Sequence, residues 1–273
     1  TILIGTATLS GSLVAYLKLG GKKLVHPLPG VLRHLVNIVL LLAVAALGLA
    51  AAGTAHGLAA DTLCQRMQAF GFTTETMVAD TVALIEQLGL APVRLVGVSM
   101  GSYIAQELMV ARTELVHSAV LMATRGRHDR AREFFRSGEL AMARSGVQLP
   151  VEFEAKLRLL ESFSPKTLND DNAVRDWIDM FTMWPQKPTP GIHTQLSIAP
   201  QSSRLPAYQN VTTPALVIGF ADDIVLPAHL GREVANALPN GRFLEISDAG
   251  HLGFIEKPQV VNTAILEFFA DTL

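Results

Sequence analysis

The sequence predicts an α/β protein built on a parallel sheet over about residues 71–273, preceded by a two-helix hydrophobic segment over residues 1–56. Three observations lead there. After about Ala69 short apolar runs alternate with amphipathic helical stretches, the signature of βαβ units. The run VRLVGVSMG (Val93–Gly101) passes straight from a strand through G-x-S-x-G into a helix. Two long uncharged runs, Thr1–Leu17 and Val36–Gly53, give the first part of the chain a different character.

Taken in order, those two runs are each close to membrane-spanning length. The KLGGKKLVHPLPGVLRH between them carries Lys18, Lys22, Lys23 and Arg33 among glycines and prolines, which reads as a basic hairpin facing the cytoplasm. A buried helical pair in a soluble fold and a signal peptide are the alternatives. The second fits poorly, because no basic stretch precedes the first run. Residues 57–70 read as a connection.

Thr73–Leu88 follows as an amphipathic helix with threonine caps, an early Glu75, and Gly89 as its stop. Val93–Val98, Ser118–Ala123, Pro214–Phe220 and Gly241–Ile246 read as buried strands, and helical period returns within Ala105–Ala111, Ala228–Leu238 and Pro258–Phe269. Between the second and third of these strands, residues of about 124–205 are helical and rich in aromatics and methionine, as an inserted cap would be.

Composition narrows the chemistry. The chain of 273 residues has a formal charge of -2 and a pI near 6.4, which argues against nucleic acid as a partner. One cysteine, Cys64, excludes an internal disulfide and a metal–cysteine cluster, and no H-E-x-x-H or similar metal spacing occurs. The mean hydropathy of +0.34 is high for a chain with 17% charged residues, and the excess sits at the front.

The candidate catalytic residues come in the chain order Ser, Asp, His. Ser99 stands at the turn of the G-x-S-x-G elbow, and the Met100 N–H and the positive end of the following helix would face an oxyanion formed there. The bare pattern arises by chance in roughly one chain in ten, and the strand-turn-helix setting is what gives it weight. The loop after Pro214–Phe220 offers Asp222 and Asp223; Asp222 is preferred as the third residue after Gly219, with Asp223 left as a loop or cap residue. His251 in SDAGHLGFIEKP follows the last strand and supplies the base, a setting that His117, His128, His193 and His229 lack. Trp177, Met180 and Trp184, at helical spacing in the cap, are the candidate lining of an acyl pocket, with ordinary core packing as the alternative.

Two resemblances attach to these residues. GFTTETMVADTVALIEQLGLAPVRLVGVSMGSYIAQELM, HSAVLMATRGRHDRAREFF, LVIGFADDIVLPAHLGREVANALPNGRF and DAGHLGFIEKP closely resemble the cofactor-free bacterial haloperoxidases of the α/β-hydrolase superfamily, over some three quarters of the chain. That resemblance implies an α/β-hydrolase fold with a helical cap and hydrolysis of small carboxylic esters through an acyl-enzyme. It also implies halide oxidation by a peracid made with hydrogen peroxide, no cofactor (neither haem nor vanadium), and a cytoplasmic location. Thr8–Leu42 resembles the membrane part of the proton-translocating NAD(P) transhydrogenase beta subunit, which implies membrane contact through residues 1–56. The chain departs from the hydrolase pattern at its front, where that family has its first strands and the glycine-rich loop giving a second oxyanion N–H. With those strands absent, Val93–Val98 would be left on an open sheet edge, and residues 36–53 could cover it. The alternatives to an ester hydrolase are therefore a membrane-anchored, catalytically weak fusion and a non-catalytic binding module.

Overall fold

The structure, a computed structural model, describes residues 2–4, 73–183, 196–198 and 202–272. Among the described residues five strands form a wholly parallel sheet in the order β1 (Ile2–Ile4), β2 (Val93–Val98), β3 (Val116–Met122), β4 (Ala215–Phe220), β5 (Gly241–Ile246). Helix α1 (Thr74–Gln87) precedes β2, and α2 (Met100–Ala111) leads from β2 towards β3. Among the described residues, β3 is followed by α3 (Arg130–Ser145), α4 (Val151–Ser162), α5 (Pro165–Leu168) and α6 (Asp171–Met183). The short α7 (Leu205–Tyr208) leads into β4, α8 (Ala228–Ala237) connects β4 to β5, and α9 (Gly253–Glu256) and α10 (Pro258–Asp271) close the described chain.

Local chemistry sets these boundaries. Thr73 caps α1 reciprocally with Thr76: each backbone N–H donates to the other's hydroxyl, at 3.0 and 3.3 Å, which satisfies two donors that a helix start leaves over. Gly89, at φ 60°, turns the chain out of the helix in the left-handed region that glycine adopts freely. Strand β3 starts at Val116 and stops at Met122, not Ala123 as expected, because Ala123 sits at φ 46° and cannot continue a ladder.

The central strands β3 and β4 and most of β2 are apolar on both faces, and alternation divides them between two cores. Leu95, Ala119, Leu121, Ala215 and Val217 pack with Ile85 of α1, Leu108 and Met109 of α2 and Val234 of α8. Val96, Val120, Met122, Leu216 and Ile218 face the other way, against Val261, Ile265, Phe268 and Phe269 of α10. Fully burying a side chain such as Leu121 or Ile218 contributes about 1.5–3 kcal/mol. A sheet covered on both faces leaves only the carboxyl ends of its strands open for a site.

Two expectations about the front change. Ile2–Ile4 forms the outermost described strand, with Ile2, Leu3 and Ile4 in register with Arg94, Leu95 and Val96, so the first apolar run opens as sheet and β2 is not the edge. The rest of that run, the second run and the connection lie outside the described residues, and so does any cover from residues 36–53. Among the described residues no helix is long and apolar enough to cross a membrane.

Candidate active site

The elbow after β2 is tight. A Cβ on Gly97 would lie 2.5 Å from the Gly101 carbonyl oxygen and 2.7 Å from the Ser102 Cα, closer than a real Cβ can come, so only glycine lets α2 fold back onto β2 here. Ser99 takes φ 53°, ψ -121°, a strained conformation for a residue with a side chain. It is held from both sides. Its N–H donates to the Met122 carbonyl at 3.0 Å, and its own carbonyl accepts the Ser102 hydroxyl at 2.6 Å. Met100 opens α2, so its N–H has no acceptor within the helix and, with the helix dipole, is available to an anion formed at Ser99.

Two further strand ends bring the partners. Ser99 Oγ lies 3.1 Å from His251 Nε2, and His251 Nδ1 lies 2.9 Å from an oxygen of Asp223. An ionised carboxylate only accepts, so Nδ1–H donates to Asp223 and Nε2 is left to accept the Ser99 proton. The aspartate that meets the ring is thus Asp223, and the expectation of Asp222 is corrected. Asp222 stays half-buried, with its N–H given to the Ala249 carbonyl at 2.9 Å. The next residue turns back, the Asp223 N–H donating to the Phe220 carbonyl, and this swings a side chain with 0% exposure under the ring. Asp223 is also the cap residue expected of it: Oδ1 accepts the N–H groups of Val225 and Leu226 at 2.8 and 2.7 Å, which aims Oδ2 at His251. One carboxylate performs both jobs.

The turn that carries His251 is fastened to the segment between α4 and α5. Glu256 Oε2 accepts the Gly250 N–H at 2.6 Å, while Oε1 accepts the Ser164 N–H and the hydroxyls of Ser164 and Thr167, at 3.0, 2.7 and 2.5 Å. The Leu252 N–H donates to the Ser162 carbonyl at 2.9 Å.

Ser99 and Met100 lie in the wall of a cavity of about 390 Å³. Trp177 and Met180 are not part of that wall. They pack in a separate apolar cluster with Ala155, Leu159, Phe163 and Phe181, with the Trp177 ring 4.6 Å from that of Phe163, so the core-packing alternative holds for both. Trp184 lies outside the described residues.

The wall mixes apolar residues, among them Met77, Phe135 and Leu226, with an unusual number of polar ones. Tyr103, Arg125, His128, Arg136, Glu139 and Glu161 line it. Burial, helped by Glu107, raises the Tyr103 phenol to about 12. Burial, with Arg125 and Arg136 adding to it, lowers His128 to about 4, so its ring is neutral at ordinary pH. Burial likewise lowers Arg125 and raises the carboxyls of Glu139 and Glu161. Sequence reasoning did not single out these residues as a site; the five arginines between 125 and 136 were the available signal.

With this geometry in view, the chain matches the α/β-hydrolase fold family over residues 53–258, and it belongs to that family. The match begins earlier than the residue 71 expected. Among relatives, the chain is 68% identical over 200 residues to the "Putative non-heme bromoperoxidase BpoC" of Mycobacterium tuberculosis H37Rv, covering 73% of this chain and 76% of that protein. The crystal structure of BpoC superposes with a TM-score of 0.72 at 67% identity, over 74% of this chain and 76% of the other. An enol-lactonase from Burkholderia xenovorans LB400, 22% identical with a TM-score of 0.62 over 73% and 74% of the two chains, shares the fold. These matches give no support to the transhydrogenase-like reading of Thr8–Leu42.

Proposed function

We propose that this chain is a serine hydrolase of small carboxylic esters that works through an acyl-enzyme at Ser99, with hydrogen peroxide as a second acyl acceptor beside water. The observation that carries the reading is the unbroken line Ser99 Oγ, His251 Nε2, His251 Nδ1, Asp223 Oδ2, with separations of 3.1 and 2.9 Å across its two hydrogen bonds. Ser99 Oγ attacks the ester carbonyl as its proton passes to His251 Nε2, and the carbonyl oxygen becomes an anion facing the Met100 N–H. Collapse expels the alcohol, which takes the proton from Nε2. The Asp223 carboxylate keeps the ring in the correct tautomer and stabilises the imidazolium meanwhile.

In the second half water gives a proton to His251, attacks the acyl carbonyl and releases the acid, and Ser99 recovers its proton. Where hydrogen peroxide attacks instead, the product is a peracid. A peracid, a bromide ion and a proton give the carboxylic acid and hypobromous acid, so halide oxidation needs no metal at this site. The similarity to BpoC supports including this branch.

The test is hydrolysis of p-nitrophenyl acetate by the full chain, together with labelling by a fluorophosphonate. Turnover and label that both vanish in Ser99→Ala support the reading. An unmutated chain that neither turns over the ester nor takes the label overturns it.

A further inference from the structure

Among the described residues, the cavity beside Ser99 holds two arginines with no paired carboxylate. Five arginines reach its wall, and they differ in how their charge is met. Arg127 is bound by both oxygens of Glu233, at 2.7 and 2.6 Å, and Arg204 by both of Glu107, at 3.0 and 2.6 Å; each is neutralised by a forked pair. Arg132 has Asp129 at 3.6 Å, but its Nε is buried without a hydrogen-bond partner. Arg136 gives Nη1 to the carbonyls of Leu196 and Ile198, at 3.0 and 3.2 Å, which hold the group without cancelling its charge, and its Nε is also buried and unpartnered. Arg125 has no ion pair and no hydrogen bond to its side chain among the described residues. His128 adds a third buried, unpartnered nitrogen, Nδ1.

An unpaired guanidinium taken out of water is costly, and buried donors without acceptors add to that cost, so a wall that keeps both is built for something that supplies acceptors and negative charge. Two carboxyls face the same space. Glu139 feels the charges of Arg125 and Arg136 but, among the described residues, forms no ion pair with either, and burial raises its carboxyl. Burial likewise raises Glu161. Neither makes a direct ion pair with an arginine of the wall among the described residues.

We propose that the cavity takes esters bearing a second, ionised carboxylate, held by Arg125 and Arg136 with His128 beside them. The inference rests on the serine-hydrolase reading only for which bond is cut; the binding itself stands apart from turnover. The second carboxylate lies near the scissile ester, because Arg125 comes three positions after Met122, the residue whose carbonyl accepts the Ser99 N–H, and β3 runs beside β2. A half-ester of a short dicarboxylic acid has that shape, and a planar guanidinium matches a carboxylate with two parallel hydrogen bonds.

The test measures binding in the full-length Ser99→Ala chain by calorimetry, so that an inactive enzyme does not decide it. The probes are 4-nitrophenyl hydrogen glutarate and its neutral counterpart, methyl 4-nitrophenyl glutarate. The anionic probe is expected to bind at least tenfold more tightly, and Arg125→Met in the same background is expected to bring the ratio to within about twofold. Should that double variant fail to fold, the Ser99→Ala chain alone still answers: raising sodium chloride from low to high concentration weakens the anionic probe several-fold and leaves the neutral one unmoved. Equal affinity for the two probes, a preference undiminished by Arg125→Met, or a preference indifferent to salt overturns the proposal. Loss of p-nitrophenyl acetate turnover in the wild-type chain would instead overturn the hydrolase reading and leave this ratio as measured.

Discussion

Replacing Asp223 by Asn separates the two adjacent aspartates and measures what the buried one does. In the structure Oδ1 is occupied by the amides of Val225 and Leu226, both donors, so the carbonyl oxygen of an asparagine must stay there and its NH2 must face His251. A donor opposite Nδ1 forces that nitrogen to accept, which moves the ring proton to Nε2 and leaves nothing to take the Ser99 proton. The wrong tautomer lowers kcat by about 10⁴, or roughly 5.4 kcal/mol in the barrier. Because the cap to Val225 and Leu226 survives, the thermal midpoint should move little. Asp223→Ala loses the cap as well and should cost about 1 kcal/mol of stability in addition. Asp222→Asn, with only its backbone N–H engaged in the site, should change kcat by about twofold at most, since it touches neither ring nitrogen. The assay is steady-state hydrolysis of p-nitrophenyl acetate by the three variants, with melting curves run alongside. A larger loss of kcat in Asp222→Asn than in Asp223→Asn would refute the assignment of the acid.

The other expectations concern stability and its coupling to the site. Gly97→Ala places a methyl 2.5 Å from the Gly101 oxygen and should destabilise the chain by about 2–4 kcal/mol, read by chemical denaturation; an unchanged midpoint would mean that the elbow can open. His128, lowered to about 4 in the fold and near 6.5 when unfolded, binds its proton more readily in the unfolded chain. Stability is therefore full above about pH 6.5 and declines as the pH falls towards 4, and His128→Gln should flatten that decline in melting curves taken across the window. Glu256→Ala leaves two backbone N–H groups and two hydroxyls without their acceptor, for about 2–4 kcal/mol, and should reduce kcat because Gly250, next to the base, loses its tether. A drop in stability with kcat untouched would show that the tether does not position His251.

Much of the frame could be read from the residues because it depends on short-range pattern. Short apolar runs bounded by turn residues mark β2, β3 and β4 as strands buried on both faces, and Thr73 and Gly89 punctuate α1. Ser99 and His251 were legible for the same reason, being fixed by tight turns at strand ends. The acid was not, since counting from Gly219 cannot foresee that the chain turns back at Asp223 through its bond to Phe220. Trp177 and Met180 lie on the apolar face of α6, and the spacing that reveals such a face says nothing of whether it looks at a cavity or at Phe163 and Phe181. The arginines of the cavity were visible as letters, yet what distinguishes Arg125 from Arg127 is a glutamate more than a hundred positions away.

The carboxylate of Glu256 bears on how this scaffold could be recombined. Exchanging the helices α3 to α6 for those of a relative is an obvious route to altered substrate range, but the helical insert is not a free cassette. Its Ser164 and Thr167 share an acceptor with the turn that carries the base. A graft cut anywhere between Ser162 and Thr167 would import new substrate contacts and misalign the histidine in the same stroke. A workable crossover keeps residues 162–167 with the parent and trades only what flanks them, or moves that short segment and the Gly250–Glu256 turn together as one unit.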